Sequence, residues 1–303
     1  MPLFSGLSAF PITPADCDGQ IDETAFAELL ELLADASVHS VGLLGSTGGY
    51  AYLTREQRRR AVSVARNTLG GRIPVIVSVG ALRTDEAQKL ARDAGAEGAD
   101  GLLLAPVSYT PLTQEEAYRH YVAVASATEL PLCIYNNPGT TNFNFSVELL
   151  DRLAQQPTIK AVKMPLPPDR DFASELARLK ANAPDDFAVG YSGDWGCGDA
   201  LLAGADGWFS VIGGLLPKPS MELARAAMAG DKDEVARINA CFQPLWELFQ
   251  QFGSLRVVYA AMNILELSQA QPHLPLQPLA PEQMARVAAA LDRANSSSVA
   301  PNS

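Results

Sequence analysis

Short apolar runs alternate with amphipathic stretches over the first two thirds of the chain. The run 74–80 is dense in β-branched residues, as expected of a strand that is buried on both faces. The stretch 54–69 is typical of a helix, because a Thr cap is followed by Glu56 and Gln57 in the first turn. The pattern predicts eight strands, or close to it, each followed by a helix, at residues 7–12, 38–45, 74–80, 101–105, 131–135, 159–163, 187–191 and 207–212.

These repeated units predict an α/β fold, specifically a TIM (β/α)8 barrel. Strand–helix units with short connections imply a parallel sheet. Eight of them imply a closed barrel rather than an open, doubly wound sheet. A dinucleotide-binding fold would need a G-x-G-x-x-G motif between the first strand and helix, and the sequence has none there. We therefore predict that residues 1–218 form the barrel.

The pattern changes after the barrel and becomes wholly helical from about Pro219. We predict that residues 219–294 form a C-terminal helical extension that packs on the barrel, with helices at 221–229, 233–251, 256–267 and 281–293. The last residues, 295–303, are rich in Ser and Asn, which predicts a disordered tail.

Composition and charge exclude several classes of function. The chain has 303 residues, a formal net charge of −11 and 48% hydrophobic residues, enough for a substantial core. The acidic balance argues against binding to nucleic acid or to an anionic membrane. No apolar run approaches the roughly 20 residues of a membrane helix, and nothing near Met1 resembles an export signal. The basic run Arg58-Arg59-Arg60 lies in a predicted helix, where we expect a solvated face.

Cysteine and histidine spacing gives no sign of a metal or redox site. The four cysteines are far apart and form no C-x-x-C pair, which argues against a zinc knuckle or a redox dithiol. The three histidines are isolated as well, so the usual histidine-based metal cluster is not expected. We expect no metal and no cofactor, and a reducing cytoplasm as the compartment.

Lys163 is the most informative candidate for chemistry. Catalytic groups of such barrels lie at the C-terminal ends of strands, where Lys163 ends the sixth one. Strand alternation places Ile159, Ala161 and Lys163 on one otherwise apolar face, which we assign to the barrel lumen. Poor solvation there favours the neutral amine, which can attack a ketone and form a Schiff base. A lysine that extends from a strand end into solvent is the structural alternative.

Two neighbouring strand ends carry hydroxyl groups. Tyr135 precedes a turn of sequence Asn-Asn-Pro-Gly that exposes the strand end, so its phenol can transfer a proton to a carbinolamine or an alkoxide. Ser46 and Thr47 lie in a glycine-bounded turn whose free backbone N–H groups suit a carboxylate. Core packing of Tyr135 and a tight strand–helix connection at Ser46 remain the alternatives.

Taken together, these motifs resemble the dihydrodipicolinate synthase / N-acetylneuraminate lyase family of Schiff-base barrels. The resemblance covers nearly the whole chain and implies a (β/α)8 barrel with C-terminal helices, assembled as a homotetramer built from dimers. The matching pieces are Gly45-Ser46-Thr47-Gly48, Tyr135-Asn136-Asn137-Pro138, Lys163 after an Ile-x-Ala-Val strand, Ser192-Gly193-Asp194, Gly207-Trp208-Phe209-Ser210-Val211 and the opening Pro11-Ile12-Thr13-Pro14.

The resemblance also implies roles for individual residues. Lys163 is expected to form an imine with the ketone of pyruvate or another 2-oxo acid. Tyr135 is expected to act as the proton shuttle and Ser46 to relay protons. The catalytic set is thus Lys163, Tyr135 and Ser46, and the expected substrate-binding residues are Thr47, Gly48, Thr140, Val211 and Tyr109.

Departures from the family pattern bear on the substrate. In the synthases an Arg follows the Tyr-Asn-x-Pro motif and binds the carboxylate of the second substrate, whereas this chain has Thr140 there. A threonine cannot replace a bidentate guanidinium. The acidic residue that follows the lysine in the synthases is replaced by the stiff, apolar segment 164–168, which predicts a different second substrate. Tyr109 resembles a tyrosine that relatives pass across the dimer, but an interface or loop-packing role is equally consistent.

The sequence therefore predicts a Schiff-base lyase or aldolase that acts on pyruvate or a 2-keto-3-deoxy acid. Three alternatives stay open: 4-hydroxy-tetrahydrodipicolinate synthase proper, a Schiff-base dehydratase or deaminase, and a barrel that binds a 2-oxo acid without turnover. The expected partners are a small 2-oxo acid, an aldehyde and further copies of the chain. The set of Lys163, Tyr135 and Ser46 argues against a purely binding role.

Overall fold

The computed structural model describes residues 1–295 of the chain. The tail predicted at 295–303 lies outside the described residues, except for Asn295, which ends the last helix. No helix in the described range is both long and apolar enough to cross a membrane.

Eight parallel strands close into a barrel in chain order, because the first strand pairs with both the second and the eighth. This confirms the predicted TIM barrel. The strands are β1 Gly6–Ala9, β2 Ser40–Leu43, β3 Val75–Ser78, β4 Gly101–Leu104, β5 Leu132–Tyr135, β6 Ile159–Met164, β7 Ala188–Tyr191 and β8 Gly207–Ser210.

Each strand is followed by an α-helix, β5 by two of them, and three more complete the described chain. The helices are α1 Glu23–Asp35, α2 Arg55–Leu69, α3 Thr84–Ala96, α4 Gln114–Ala125, α5 Pro138–Thr141, α6 Val147–Ala154, α7 Phe172–Lys180, α8 Asp194–Leu202, α9 Pro217–Met228, α10 Lys232–Phe252, α11 Ser254–Ile264 and α12 Pro281–Asn295. The short helix α5 is absent from the sequence prediction. It forms because Pro138 at its first turn presets a helical φ and needs no N–H partner.

Some strands are shorter than predicted, because the apolar run that predicted them continues into the following loop. Strand β1 ends at Ala9 rather than at Ile12, because Pro11 has no N–H to donate to a neighbouring strand. The pairing register between β5 and β6 shifts next to Leu132. As a result, Ile159 packs in the core outside the barrel, whereas Ala161 packs in the lumen. The prediction that Ile159 shares the face of Lys163 is therefore wrong.

The barrel lumen is a separate apolar core, distinct from the core between strands and helices. Two glycines make room for its aromatic rings. A Cβ at Gly42 would overlap the Phe10 ring, and a Cβ at Gly190 would lie 2.6 Å from Cε2 of Phe209. The two rings pack edge to face with centroids 6.1 Å apart. They form the floor on which the candidate site rests.

Helix α2 corrects the expectation for the arginine run. Arg59 and Arg60 form exposed ion pairs, but Arg58 is buried. Its guanidinium donates to the main-chain oxygens of Ser78 at 2.8 Å and Gly80 at 3.1 Å. Consecutive helical residues point in different directions, so only this one faces the end of β3. The prediction of a solvated face is wrong for Arg58.

The C-terminal helices lie against one another and against the barrel. Helix α10 contacts α8, α9, α11 and α12. Its inner face carries a stacked pair, Phe242 and Trp246, with ring centroids 4.9 Å apart. Phe249 and Ser254, around the junction of α10 and α11, extend to the cavity above the barrel. The division of the chain at residue 218 stays a prediction, and helix α9 begins at Pro217.

Candidate active site

Lys163 lies inside the barrel, at the C-terminal end of β6, with 5% of its surface exposed. Its Nζ lies 4.3 Å from the centroid of the Phe10 ring, 4.2 Å from that of Tyr135 and 5.6 Å from that of Phe209. Within residues 1–295, no carboxylate forms an ion pair with this amine, unlike that of Lys160, which pairs with Asp186 at 2.7 Å. Lys163 thus presents an amine in an aromatic, largely dry environment.

Tyr135 is directly opposite Lys163 in the register of β5 and β6. Its hydroxyl lies 3.4 Å from Oγ of Ser46 and accepts a hydrogen bond from Nδ2 of Asn137 at 2.9 Å. Burial raises the pKa of Tyr135, but the charge of Lys163 and hydrogen bonds with Ser46, Asn137 and Lys163 outweigh burial, so the pKa lies below its usual value. A phenol with a lowered pKa is suited to proton transfer near neutral pH.

The turn after β2 brings Ser46 and Thr47 to the same place. Ser46 is half-buried and Thr47 is buried. In the described part of the chain, the backbone N–H groups of Thr47 and Gly48 donate no hydrogen bond, whereas that of Gly49 donates to the Ser46 carbonyl at 3.3 Å. A Cβ at Gly48 would lie 3.0 Å from the Leu44 nitrogen, so glycine permits the tight turn. Two free N–H groups suit an anionic ligand.

These groups face a cavity of about 580 Å³ at the C-terminal end of the barrel. Ser46, Thr47, Tyr135, Thr140 and Lys163 all line it. Val211, which follows β8, lines it as well. The Asn137 amide donates to Oγ1 of Thr140 at 2.9 Å and thus connects that hydroxyl to the one of Tyr135. The structure therefore brings six of the eight predicted site residues together around one cavity.

Two predicted substrate-binding residues lie elsewhere. Among the described residues, neither Gly48 nor Tyr109 lines the cavity of its own chain. Gly48 is buried in the turn behind Thr47. Tyr109, in the loop after β4, is 96% exposed. Their roles in binding stay predictions.

The chain matches a known protein family over nearly its whole length. The model of the Dihydrodipicolinate synthetase family matches residues 3–294. The chain belongs to this family. Membership confirms the predicted family, and with it the enzyme class, a Schiff-base lyase.

Relatives within the dihydrodipicolinate synthetase family match most of the chain. It is 35% identical to the 4-hydroxy-tetrahydrodipicolinate synthase of Methylococcus capsulatus over 271 residues, covering 88% of this chain and 91% of the relative. Among solved structures, dihydrodipicolinate synthase from Agrobacterium tumefaciens is 61% identical, with a TM-score of 0.95 and coverage of 96% and 98%. The synthase from Acinetobacter baumannii complexed with pyruvate is 30% identical, with a TM-score of 0.89 and coverage of 97% and 99%.

Asp194 has a structural role at this site that the sequence did not reveal. Its buried carboxylate accepts hydrogen bonds from Nε1 of Trp208 at 2.7 Å and from the backbone N–H groups of Ile212 at 2.9 Å and Val211 at 3.3 Å. Burial raises the pKa of this carboxyl despite those bonds. Asp194 joins the start of α8 to the segment after β8 and so positions Val211. Its place three residues after the end of β7 was the available signal.

Other lining residues had weaker signals in the sequence. Phe10 directly follows the first strand and Phe209 lies in the eighth, so the two rings meet only when the barrel closes. Asn137 lies within a turn motif and is typical of a turn rather than of a proton-transfer site. Arg170 lines the cavity from the loop between β6 and α7.

Proposed function

We propose that the chain forms an imine between Lys163 and the ketone of pyruvate or a related 2-oxo acid, and acts as an aldolase or lyase. The observation that carries this proposal is the buried amine of Lys163, which faces a cavity and lies between aromatic rings. A lysine amine in its neutral form is the nucleophile that adds to a ketone when an imine forms.

The proposed reaction begins with imine formation, in which an amine adds to a ketone and water is lost. The amine adds to the ketone carbon, the ketone oxygen takes up a proton, and the resulting carbinolamine loses water to give a protonated imine. In the cleavage direction, the C3–C4 bond breaks, its electron pair moves to form an enamine, and the C4 hydroxyl loses its proton as the aldehyde leaves. Protonation at C3 and hydrolysis of the imine then release pyruvate and regenerate Lys163.

Tyr135 and Ser46 are proposed to move the protons. The Tyr135 hydroxyl is buried beside the amine and lies 3.4 Å from Oγ of Ser46, which is close enough for relay after a small adjustment. The Asn137 N–H donates to the phenol oxygen at 2.9 Å and therefore stabilises the phenolate after the proton has left.

The carboxylate of the 2-oxo acid is proposed to bind at the turn after β2. The free N–H groups of Thr47 and Gly48 and the hydroxyls of Ser46 and Thr47 are donors suited to it. Thr140 and Val211, on other walls of the cavity, are proposed to contact the remainder of the substrate.

The choice between reactions rests on Thr140. Several relatives are named 4-hydroxy-tetrahydrodipicolinate synthases, and one related synthase was solved with pyruvate. A threonine hydroxyl cannot form the two parallel hydrogen bonds of an arginine. This favours reversible aldol cleavage of a 2-keto-3-deoxy acid, or dehydration or deamination through the same imine, over the synthase reaction proper.

Borohydride trapping tests the proposal. The protein is incubated with pyruvate and borohydride, its intact mass is measured, and the modified peptide is mapped. The expected result is a pyruvyl-sized adduct on Lys163 that is lost in Lys163→Ala. Lys160→Ala, on the same strand, is the matched control and should retain the adduct. A folded wild-type protein that traps neither pyruvate nor longer 2-oxo acids would favour the binding barrel without turnover.

We also propose a cytoplasmic homo-oligomer, a dimer or a tetramer. Support for assembly comes from apolar side chains on exposed loops, since Tyr109 is 96% exposed and Leu82 is 67% exposed. All four cysteines are free thiols, which fits a reducing compartment.

A further inference from the structure

His273, from the segment between α11 and α12, lies against the turn after β2. A Cβ at Gly49, the last residue of that turn, would lie 3.1 Å from Cδ2 and 3.3 Å from Nε2 of His273. The imidazole is also stacked on the ring of Tyr52, with centroids 5.6 Å apart and an interplanar angle of 22°. One side chain thus contacts both the end of the turn and the helical turn Tyr50–Tyr52 that follows it.

The segment that carries His273, residues 268–280, is held in a defined position. At its beginning, the amide of Asn263 in α11 donates hydrogen bonds to the main-chain oxygens of Ser268 at 2.8 Å and Ala270 at 3.1 Å. The backbone around the histidine is restricted by three prolines, at 272, 275 and 278. The segment therefore presents the imidazole to the turn from a fixed place.

The turn itself has few bonds that fix its shape. Gly49 has a φ of +68°, in the left-handed region that glycine adopts readily. Its N–H donates to the Ser46 oxygen at 3.3 Å, which is long for a hydrogen bond of this type. In the described part of the chain, the N–H groups of Thr47 and Gly48 donate no hydrogen bond. Packing from outside therefore helps to hold the turn in one conformation.

The imidazole contacts the turn as a flat ring. Its Nε2 is shielded from solvent and has no hydrogen-bond partner among the described residues. Burial lowers the pKa of His273, and the charge of Asp16 offsets this only in part. Because the ring is neutral and makes no hydrogen bond at the atom that faces Gly49, it supports the turn by its shape.

We propose that His273 is a positioning residue, which holds the turn after β2 in the shape that directs its free N–H groups at the carboxylate of the 2-oxo acid. This inference rests on the proposed function, in which that turn binds the carboxylate. Among the described residues, His273 does not line the cavity above Lys163. It therefore acts through Gly49 rather than by contact with substrate. Loss of the ring lets the turn shift, and hydrogen bonds to an anion weaken as their geometry is lost.

The test compares two ketones, pyruvate and methyl pyruvate, in which an ester replaces the carboxylate. The half-saturating concentration of each is measured by borohydride trapping on Lys163, for the wild type, His273→Ala and His273→Phe. The phenylalanine variant keeps a flat ring between Tyr52 and Gly49. Gln277→Ala, at an exposed position of the same segment, is the matched control. Thermal unfolding checks that every variant folds.

His273→Ala should raise the half-saturating concentration of pyruvate about tenfold, the size of one lost hydrogen bond to a charged group, and that of methyl pyruvate by less than about twofold. The ratio between the two ketones should return to the wild-type value in His273→Phe, because the ring supports the turn by shape. Gln277→Ala should keep the wild-type ratio. A general loss of stability would weaken the trapping of both ketones alike and would leave their ratio unchanged.

Hydrogen exchange of the free protein tests the support of the turn without any ligand. The N–H of Gly49 bonds to Ser46, and that of Tyr52 bonds to Gly49 at 2.9 Å. A peptide covering residues 44–53 should therefore exchange faster in His273→Ala than in the wild type, because these bonds open more often. In His273→Phe the same peptide should exchange at the wild-type rate.

The two measurements separate failure of this inference from failure of the proposed function. If pyruvate is trapped and His273→Ala keeps the wild-type ratio between the two ketones, the role of His273 is wrong and the proposed function stands. If the folded wild type traps no 2-oxo acid, the proposed function fails. Unchanged exchange in His273→Ala would then overturn the inference as well, whereas faster exchange that His273→Phe reverses would support the positioning of the turn.

Discussion

The phenol of Tyr135 is held by neighbours with opposite effects on its ionisation. Burial raises its pKa, whereas Lys163, Ser46 and Asn137 lower it further than burial raises it. Burial raises the pKa of Tyr50 and that of Tyr259 to about 12, and the nearby Arg58 offsets this only in part at Tyr50. The contrast identifies Tyr135 as the tyrosine of these three that is suited to proton transfer.

Replacing Tyr135 by phenylalanine removes this proton donor and keeps the ring beside Lys163. Turnover should fall by about 10²- to 10⁴-fold, the usual contribution of a positioned acid or base. The measurement is kcat of the wild type and of Tyr135→Phe with a substrate found by trapping. Unfolding in urea serves as the control for the fold. A variant with wild-type kcat would rule out Tyr135 as the shuttle.

Asn137→Ala should change the pH dependence rather than abolish the reaction. The Asn137 N–H stabilises the phenolate, so its loss raises the pKa of Tyr135. The phenol then stays protonated, and able to donate its proton, up to a higher pH. The alkaline limb of the pH profile of kcat/KM should therefore shift to higher pH. Thr140→Val, which removes the other partner of the same amide, should leave that limb where it is. A shift of this limb to lower pH in Asn137→Ala would contradict the account.

At the scale of single residues, sequence reasoning depended on strand ends. Lys163, Tyr135 and Ser46 each follow or end an apolar run, so their convergence could be predicted once the barrel was inferred. Phe10 and Arg170 gave no comparable signal, because their place at the cavity depends on how the barrel closes and on the path of one loop. Arg58 differs again, since its burial depends on the rotation of a helix about its axis.

At the scale of elements, the site depends on how the segments after β7 and β8 are joined. Asp194 connects them through three hydrogen-bond donors, from Trp208, Val211 and Ile212. Asp194→Ala leaves buried N–H groups without a partner and should lower the free energy of unfolding by about 3 kcal/mol. Urea unfolding measures this. Asp186→Ala, at an exposed ion pair, is the control and should change little; equal effects of the two would refute the structural role of Asp194.

Barrel packing makes a second prediction about elements. A Cβ at Gly42 in β2 would overlap the Phe10 ring, which contacts Lys163. Gly42→Ala should therefore destabilise the fold by about 1–3 kcal/mol, as overpacking does, and should slow trapping at Lys163. Gly95→Ala in α3 is the matched control, because a Cβ there finds no atom closer than 3.5 Å. It should be neutral or stabilising, by up to about 1 kcal/mol.

The number and order of the strands could be predicted from the sequence, but not every strand boundary and not every helix. The eight strands could be predicted from hydrophobic periodicity and composition, because buried parallel strands are short and rich in β-branched residues. The register shift in β6 moves Ile159 to the outer core, and alternation alone cannot reveal such a shift. Helix α5 has four residues and carries too little pattern to be detected.

For the whole molecule, exposed apolar loops predict self-association. Light scattering should give a mass of a dimer or larger. Tyr109→Ser and Leu82→Ser should shift the equilibrium towards the monomer, because each removes an exposed apolar side chain. Met228→Ser, at a 45% exposed position on α9, is the control and should leave the mass unchanged. A monomeric wild type at micromolar concentration would contradict the proposed assembly.

The central claim is that Lys163 converts a bound 2-oxo acid into an enamine. Exchange of the methyl protons of pyruvate in heavy water, followed by NMR, tests it most directly, because each exchange event requires loss of a C3 proton from the imine. The account predicts rapid deuterium incorporation with the wild type, a slower rate with Tyr135→Phe and none above background with Lys163→Ala. Exchange that is absent in the folded wild type, or equally fast in Lys163→Ala, would contradict it.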